Sequence, residues 1–499
     1  MTSDPFALDA ELADRFARRV DVFLRISAAL IALCFLFQLI YAPTLSLFPH
    51  LLSAGLAFIA LRVTRDPVNR LVFSGTTISL AGMLILNATV NVQSIDFGLV
   101  NPLRAATIAL VSQAGVTLIA VIDSLVPRHE RSIQTAGARV TRLMGLANVL
   151  FALVVGGMML DLVGALPPII SESLRFLVPL PLALRYLTRP PSLRDPWLCI
   201  LLTLSVITAV RTNARSDLLT LGLLLTFLYV IHADRVFSLT KLLAAWVLVQ
   251  FVGVFSAVSL AVRPLRDNPP AMMAEFRDRI LSPETLVAVL NPFHEHSANL
   301  AFQQRQTDTI YFSSDFFRGA PASLFDRLTL LPQMDIVTGL LPAPNGMNFG
   351  VWLQGTLWSA SPNFGQTKLN MLGDQLVWDL ALRSRDSIGR PMITAQAEAW
   401  SMGGYLAVFL TAILVFGAWA INWRLLSRQI VLRSVLIPMA AMFMVYALFS
   451  TTLTSQTLSL LRMPFQTMAI LAVLLWVAKL FPLQRVRFSQ TLSRHTAGD

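Results

Sequence analysis

The sequence predicts an all-α polytopic membrane protein of about twelve transmembrane helices with one large extramembrane loop. Of its 499 residues, 55% are hydrophobic and only 13% are charged, and the mean hydropathy is +0.65. Apolar segments recur from about Leu24 to Phe481, whereas a single long interval, Arg263 to Glu398, is polar. A hydrocarbon core of ~30 Å requires about 20 apolar residues per helix, so the recurring segments are predicted to be spans.

The predicted spans divide the chain into four regions. Nine spans fall within 1–262, which begins with a short cytoplasmic tail, and three fall within 399–482. The large loop occupies 263–398, and 483–499 form a second tail. Hydropathy centres the twelve spans near residues 32, 54, 82, 114, 153, 179, 203, 223, 250, 412, 442 and 471.

Arginine asymmetry predicts the orientation. Alternate connections are rich in arginine, and the positive-inside rule places these connections in the cytoplasm. An even number of spans then leaves both termini in the cytoplasm and the large loop on the periplasmic side. The loop holds 11 Arg and Lys against 13 Asp and Glu, so the net charge of +11 comes from the rest of the chain. The basic balance therefore reflects membrane topology and excludes a nucleic-acid partner.

Two segments of the loop have helical patterns. Ser282 and Pro283 match an N-cap followed by the first helical residue. Leu369, Leu372, Leu376 and Leu380 recur at helical spacing around Trp378, which is typical of a helix on the loop core or on the lipid interface. We therefore expect the loop to be a mostly helical cap. The only two cysteines, Cys34 and Cys199, lie in apolar segments and offer neither a disulfide framework nor a thiolate metal site.

Several arginines lie on the predicted outer face, where the positive-inside rule makes them scarce. Arg211 and Arg215 flank a connection too short to lift both guanidinium groups away from the bilayer, while Arg175 and Arg462 lie in or beside spans. An ionised guanidinium near hydrocarbon costs about 2.5 kcal/mol or more unless it is paired or solvated. These four side chains are thus candidate ligands for an anion, and phosphate suits the planar fork of arginine. Arg104, Arg263 and Arg266 fit interfacial anchors equally well.

Few protonatable side chains accompany these arginines. His294 and His296 lie in the loop segment NPFHEHSANLAF, and Glu398 lies in AQAEAWSMGGYLAVFL just before the tenth span. No third ligand stands at a suitable spacing for a metal, so the histidines are candidates for a general base or for orienting a hydroxyl group. Glu398 is a candidate base as well. Asp96, Asp123 and Asp161, near other span ends, are weaker candidates.

Three short segments resemble bacterial O-antigen polymerases and ligases. TNARSDLLTLGLLLTFLYV is similar to the arginine-bearing start of a span in that family, and AEAWSMGGYLAVFL to the acidic entry of the span after the large loop. HEHSANL resembles the histidine segment of the family's loop. The glycine that follows the family's arginine is replaced here by Ser216 and Asp217.

The resemblance implies a GT-C-like, inverting and metal-independent glycosyltransferase of the bacterial inner membrane, without a cofactor. Its donor and acceptor would be glycans linked to undecaprenyl pyrophosphate, joined into O-antigen or exopolysaccharide, and a chain-length regulator is a further partner that such enzymes admit. Arg211 or Arg215 would hold the pyrophosphate with help from Arg175 and Arg462. His296, His294 or Glu398 would assist the acceptor hydroxyl.

Three alternatives stay open. O-antigen ligase differs from a polymerase only in its acceptor, the lipid A core. A transporter or flippase for lipid-linked oligosaccharide would need polar groups at mid-span, where these spans are apolar apart from Asn87, Gln250 and scattered Ser and Thr. A metal-dependent polyprenyl-monophosphate sugar transferase would carry acidic residues in its first outer loop, and YAPTLSLFPH has none.

Overall fold

In the computed structural model, the described residues form helices and the connections between them, without strands. It describes residues 5–90, 92–97, 99–126, 137–163, 165–166, 178–186, 190–192, 194–212, 215–233, 268–283, 330–341, 343–360, 371–380, 393–429 and 435–440, together with short pieces and single residues between 243 and 476. The predicted class, an all-α protein with apolar helices suited to a membrane, is confirmed.

The helices are numbered in chain order. They are α1 (Pro5–Tyr41), α2 (Leu47–Val63), α3 (Pro67–Thr77), a π-helical turn (Ile78–Gly82), α4 (Met83–Val90), α5 (Pro102–Leu125), α6 (Gly137–Leu162), α7 (Pro179–Arg185), α8 (Pro196–Thr212), α9 (Arg215–His232), α10 (Pro269–Ile280), α11 (Leu331–Leu340), α12 (Met347–Ala360), α13 (Leu372–Asp379) and α14 (Ala395–Gln429).

Four helical segments among the described residues are long and apolar enough to cross a membrane. They are Asp9–Tyr41, Pro67–Leu86, Pro102–Leu125 and Ala395–Ser427. Shorter apolar helices cover Leu47–Val63, Ala147–Leu162, Pro196–Thr208 and Leu221–His232. These eight segments coincide with eight of the predicted spans. The prediction near 179 meets only the seven-residue α7, and those near 250, 442 and 471 fall largely outside the described residues.

Helix α5 forms the centre of the bundle, between α2 and α14. Gly115 permits the close contact with α14, because an added Cβ would lie 2.8 Å from the Phe409 carbonyl oxygen and 2.9 Å from Ala412 Cβ. On the side facing α2 and α3, the Thr77 hydroxyl donates to Gln113 Oε1 at 2.8 Å, and Gln113 Nε2 donates to the Phe73 carbonyl at 3.1 Å. Such mutually satisfied polar groups join helices inside an apolar bundle.

The two ends of the bundle differ. We call the end where α2, α5 and α14 begin the loop end, because α11, α12 and α13 contact α14 or α5 there. The opposite end, where α14 terminates with Arg424 in contact with Asp123, is the arginine end. The charge-based assignment of these ends to the periplasm and the cytoplasm stays a prediction.

Part of the large loop inserts into the bundle instead of only covering it. The first residues of α11 are buried, and the backbone N–H of Leu330 donates to the Ser79 carbonyl at 3.1 Å. Ser79 lies in the π-helical turn, where the altered backbone pattern leaves a carbonyl available for an outside donor. The bundle and the loop therefore share one core at the loop end.

Of the two helical patterns predicted in the loop, the structure describes the second, and the first stays a prediction. Pro283 is helical, and 284–329 lie outside the described residues. The leucine pattern around Trp378 forms α13, whose Leu372, Leu376 and Val377 are buried, so this helix faces the loop core. Helix α12 was not predicted, because the glycines and prolines at its start indicated a turn.

Candidate functional site

Glu398 lies in a short, buried stub at the start of α14. The helix breaks at Gly403 (φ −170°, ψ 28°) and Gly404 (φ 63°, ψ −146°), which separates residues 395–402 from the long apolar helix that follows. The positive φ of Gly404 is a conformation that favours glycine. The break thus turns the first two helical turns of α14 into a separate element at the loop end.

Loop residues satisfy the backbone that this break exposes. The Ser401 carbonyl accepts hydrogen bonds from the Asn345 backbone N–H at 2.7 Å and from Asn348 Nδ2 at 3.2 Å. The Glu398 carbonyl accepts from the Ser401 hydroxyl at 2.7 Å. Because buried backbone carbonyls need partners, these bonds hold the stub in place and fix the position of Glu398.

The carboxylate of Glu398 is completely buried, with 0% of the residue exposed. Its Oε2 accepts a hydrogen bond from the Leu453 backbone N–H at 2.8 Å, and the N–H groups of Thr454 and Gly373 also face the carboxylate. Leu453 and Thr454 are helical. Glu398 therefore caps a helical turn from another part of the chain, which satisfies donors at that N-terminus.

The other carboxylate oxygen, Oε1, has different surroundings. Among the described residues, Oε1 has no hydrogen bond of ordinary geometry, and it lies against Gly373, where an added Cβ would be only 2.3 Å away. The hydroxyl groups of Thr454 and Thr457 are also buried, and no described residue forms a hydrogen bond with them. Unsatisfied groups of this kind are uncommon in folded proteins and ask for an explanation.

Within the part of the chain that the structure describes, no cation pairs with Glu398. No Lys, Arg or His nitrogen among these residues lies within 4.0 Å of its carboxylate, and the nearby charge that acts on it is the carboxylate of Asp374. Burying an unpaired carboxylate costs several kcal/mol. The same described residues contain no group of three or more His, Cys, Asp and Glu suited to a metal ion.

Two chemical roles fit this arrangement. A buried carboxylate with one occupied and one unoccupied oxygen can cap a helix through the first and accept a proton through the second. No family model, characterised protein or solved structure matches the chain. The choice between these roles therefore depends on the residues themselves.

Sequence reasoning did not single out a second cluster beside Glu398. Arg104, at the start of α5, lies over the Trp400 ring at 5.1 Å and donates from Nη1 to the Thr338 carbonyl at 2.6 Å. It is therefore not a simple lipid anchor, because it joins the stub of α14 to α11. The sequence contained the signal, an arginine near the start of a span, but not its partners.

Asp335 of α11 is fully buried and caps α5 from outside. Its carboxylate accepts the backbone N–H groups of Val100 and of Asn101, the latter at 2.8 Å. Burial raises the pKa of this carboxyl, and the two backbone hydrogen bonds and the charge of Arg104 act in the opposite direction. Asp335 and Glu398 thus perform the same structural task at two neighbouring helix starts.

The arrangement of the other predicted site residues stays a prediction. Arg211 is near the end of α8 and Arg215 is the first residue of α9, but the positions of their side chains lie outside the described residues. His294, His296, Arg175 and Arg462 also lie outside them. Of the weaker candidates, Asp123 pairs with Arg424, and Asp96 accepts a hydrogen bond from the Ser46 hydroxyl.

Proposed function

We propose that this protein is a metal-independent, inverting membrane glycosyltransferase that polymerises repeat units linked to undecaprenyl pyrophosphate into O-antigen or exopolysaccharide. In this proposal it is a GT-C-like enzyme of the bacterial inner membrane, with twelve spans and the loop in the periplasm. The catalytic step joins the sugar of one lipid-linked chain to a hydroxyl group of another. The pyrophosphate leaves as an anion, and the acceptor hydroxyl gives up a proton.

One observation carries the proposal: the buried Glu398 carboxylate at the loop end, in the acidic segment that resembles the family. Its cost in stability would be relieved by a nearby cation, as at Asp123, yet the described residues place none in contact with it. A carboxylate kept away from cations retains its ability to take a proton. Glu398 is therefore our candidate for the general base that accepts the proton of the acceptor hydroxyl.

Access to Oε1 would require a local movement. Gly373 and Ile393 close over this oxygen, since a Cβ added at Gly373 would lie 2.3 Å from Oε1 and 2.5 Å from Ile393 Cγ2. Gly373 belongs to the first turn of α13, in the loop. We therefore assign to α13 the role of a lid that moves aside for the acceptor and then excludes water from the reacting groups.

Arginines supply the complementary charge in this proposal. Arg211, near the end of α8, and Arg215, at the start of α9, are our candidates for binding the pyrophosphate, with Arg175 and Arg462 in support. Preorganised guanidinium groups stabilise a leaving diphosphate without a metal.

Gln113, near the middle of α5, is a polar mid-span residue that the sequence argument against a transporter overlooked, but its hydrogen bonds do not favour that alternative. Thr77, Gln113 and Thr117 are uncharged and bond to one another or to backbone carbonyls. Transport sites near mid-span typically contain charged or incompletely satisfied groups. The ligase alternative differs only in the acceptor, and the test below distinguishes it.

The proposal is tested by Glu398→Gln in cells that lack their own copy of the gene. Glutamine keeps an amide oxygen that can accept the Leu453 N–H, but it is not a general base, so capping and catalysis are separated. We expect glycan of a single repeat unit in place of long chains on a polysaccharide gel. Asp123→Asn, which also converts a buried carboxylate to an amide, should retain long chains at equal expression.

Further outcomes discriminate the alternatives. Long chains from Glu398→Gln would refute the base assignment, and long chains from Ala and Lys variants of both Arg211 and Arg215 would refute the pyrophosphate site. Loss of activity in EDTA that Mg²⁺ or Mn²⁺ restores would identify a metal-dependent transferase instead. Loss of glycan from the lipid A core, with accumulation of lipid-linked polymer, would identify a ligase.

A further inference from the structure

Helix α12 differs from an ordinary surface helix of a water-exposed loop. Its 14 residues, MNFGVWLQGTLWSA, contain no charged side chain. Helix α10, in the same loop, has four charged residues among its 12, in the sequence PPAMMAEFRDRI. A helix without charges that lies in water would be unusual, because exposed positions of soluble helices are mostly polar.

The exposed side of α12 is apolar. Trp352 is buried and packs near Phe349, with ring centroids 5.7 Å apart, while the opposite side carries large side chains open to the surroundings. These exposed residues are Met347 (75%), Phe349 (51%), Leu353 (40%), Leu357 (64%) and Trp358 (43%). An apolar patch of this size on one helix marks an interaction surface.

The position of α12 relative to α14 indicates what surrounds the apolar side of α12. Asn345 and Asn348 bind the Ser401 carbonyl, and Pro344 lies against Gly404, so the start of α12 is at the level of the break in α14. Immediately beyond this break, α14 becomes an apolar span with large exposed side chains. These are Tyr405, Leu406, Leu410 and Leu414. The apolar side of α12 thus begins where the lipid-facing surface of α14 begins.

We infer that α12 is a membrane-interface helix, whose exposed side lies among the headgroups and upper acyl chains of the bilayer. Its length of about 21 Å is too short to cross a hydrocarbon core of ~30 Å, and apolar segments of this length are typical of interfacial or re-entrant helices. Tryptophan is enriched at this depth. The large loop is therefore anchored to the lipid beside α14, independently of what the protein catalyses.

Spin-label accessibility tests this inference in nanodiscs of phosphatidylethanolamine and phosphatidylglycerol. Leu357→Cys and Leu353→Cys would be labelled with a nitroxide in a chain whose Cys34 and Cys199 are replaced by alanine. Met273→Cys on α10, a comparably exposed apolar residue among charged neighbours, is the aqueous control. Leu410→Cys on α14 is the lipid control.

The readout is the ratio of collision rates with oxygen, which concentrates in lipid, and with a water-soluble nickel chelate. We expect labels at 353 and 357 to favour oxygen, as at 410, and the label at 273 to favour nickel. Nickel-dominated collisions at 353 and 357 would refute the inference. Low accessibility to both reagents would also refute it, because it would mean that protein, either this chain or a second copy, covers the helix.

Discussion

A buried carboxylate lies near each end of α14, and the two carboxylates have different hydrogen-bond partners. At the arginine end, Asp123 receives Arg424 Nε at 2.7 Å and Asn69 Nδ2 at 3.2 Å, and Asn69 also binds the Trp419 indole N–H. At the loop end, Glu398 receives backbone N–H groups and no cation from the described residues. Both are nearly inaccessible to solvent, so burial alone does not distinguish them.

The difference separates a charge that serves stability from one that is available for chemistry. The carboxylate of Asp123, in a hydrogen-bonded ion pair with Arg424, joins α5 to α14. A carboxylate that only caps a helix through one oxygen can accept a proton through its other oxygen. Asp335 lies between these cases, because both of its oxygens accept backbone N–H groups.

The largest loss of stability is expected from Arg424→Ala, which leaves Asp123 buried without its cation. Breaking a buried pair costs about 3 kcal/mol or more, and the partial exposure of Arg424 places the expected value at the low end. Thermal unfolding in detergent measures the loss. Adding Asp123→Asn should recover part of it, whereas Arg25→Ala, which breaks an exposed pair with Asp21, should change little. Equal effects of Arg424→Ala and Arg25→Ala would contradict the structural role of Asp123.

A smaller loss, about 1–3 kcal/mol, is expected from Gly373→Ala, because the new methyl group must displace Glu398 or Ile393. Activity should fall as well, since the carboxylate would shift from its position. Gly350→Ala on α12 is the matched control, because nothing lies within 4 Å of its added Cβ. If both alanine variants kept full stability and activity, the close contact at Oε1 would have no importance.

The smallest expected effect is the pH dependence of stability that Asp335 contributes. Burial raises the pKa of the folded protein's Asp335 above the value of about 3.9 in unfolded chains. The native state therefore binds more protons between these two pKa values, and this contribution to stability grows as pH falls through the folded pKa. Asp335→Asn should remove that dependence and cost about 1 kcal/mol, since one N–H then meets an amide NH₂. Thermal midpoints from neutral to mildly acidic pH would reveal it, and parallel curves for both proteins would contradict it.

Sequence reasoning recovered the elements that depend on local pattern. Apolar segments gave the positions of α1, α2, α5 and α14, and leucine spacing gave α13, because hydropathy and periodicity are local properties. The buried orientation of α13 was left open, since the pattern of an amphipathic helix does not identify the surface that it contacts. Helix α12 was missed because turn-forming residues at 342–346 dominated the local signal.

The site was harder to predict because it depends on distant contacts. Glu398 was selected for its place before a span, but its partner Leu453 is 55 residues away and Gly373 is in the loop. Arg104 was left open between an anion ligand and a lipid anchor, since nothing local indicates that Trp400 and Thr338 meet it. Contacts between residues that are far apart in the chain produce no recognisable residue spacing in the sequence.

The most direct test of the central claim is the turnover of purified Glu398→Gln protein in nanodiscs, measured with lipid-linked repeat units alongside its thermal midpoint. Because glutamine can still accept the Leu453 N–H, we expect a midpoint close to that of the unaltered protein and a kcat lower by about 100-fold or more, which is typical of a lost general base. Unaltered turnover by a folded Glu398→Gln protein would contradict the claim and leave Glu398 as a helix cap alone.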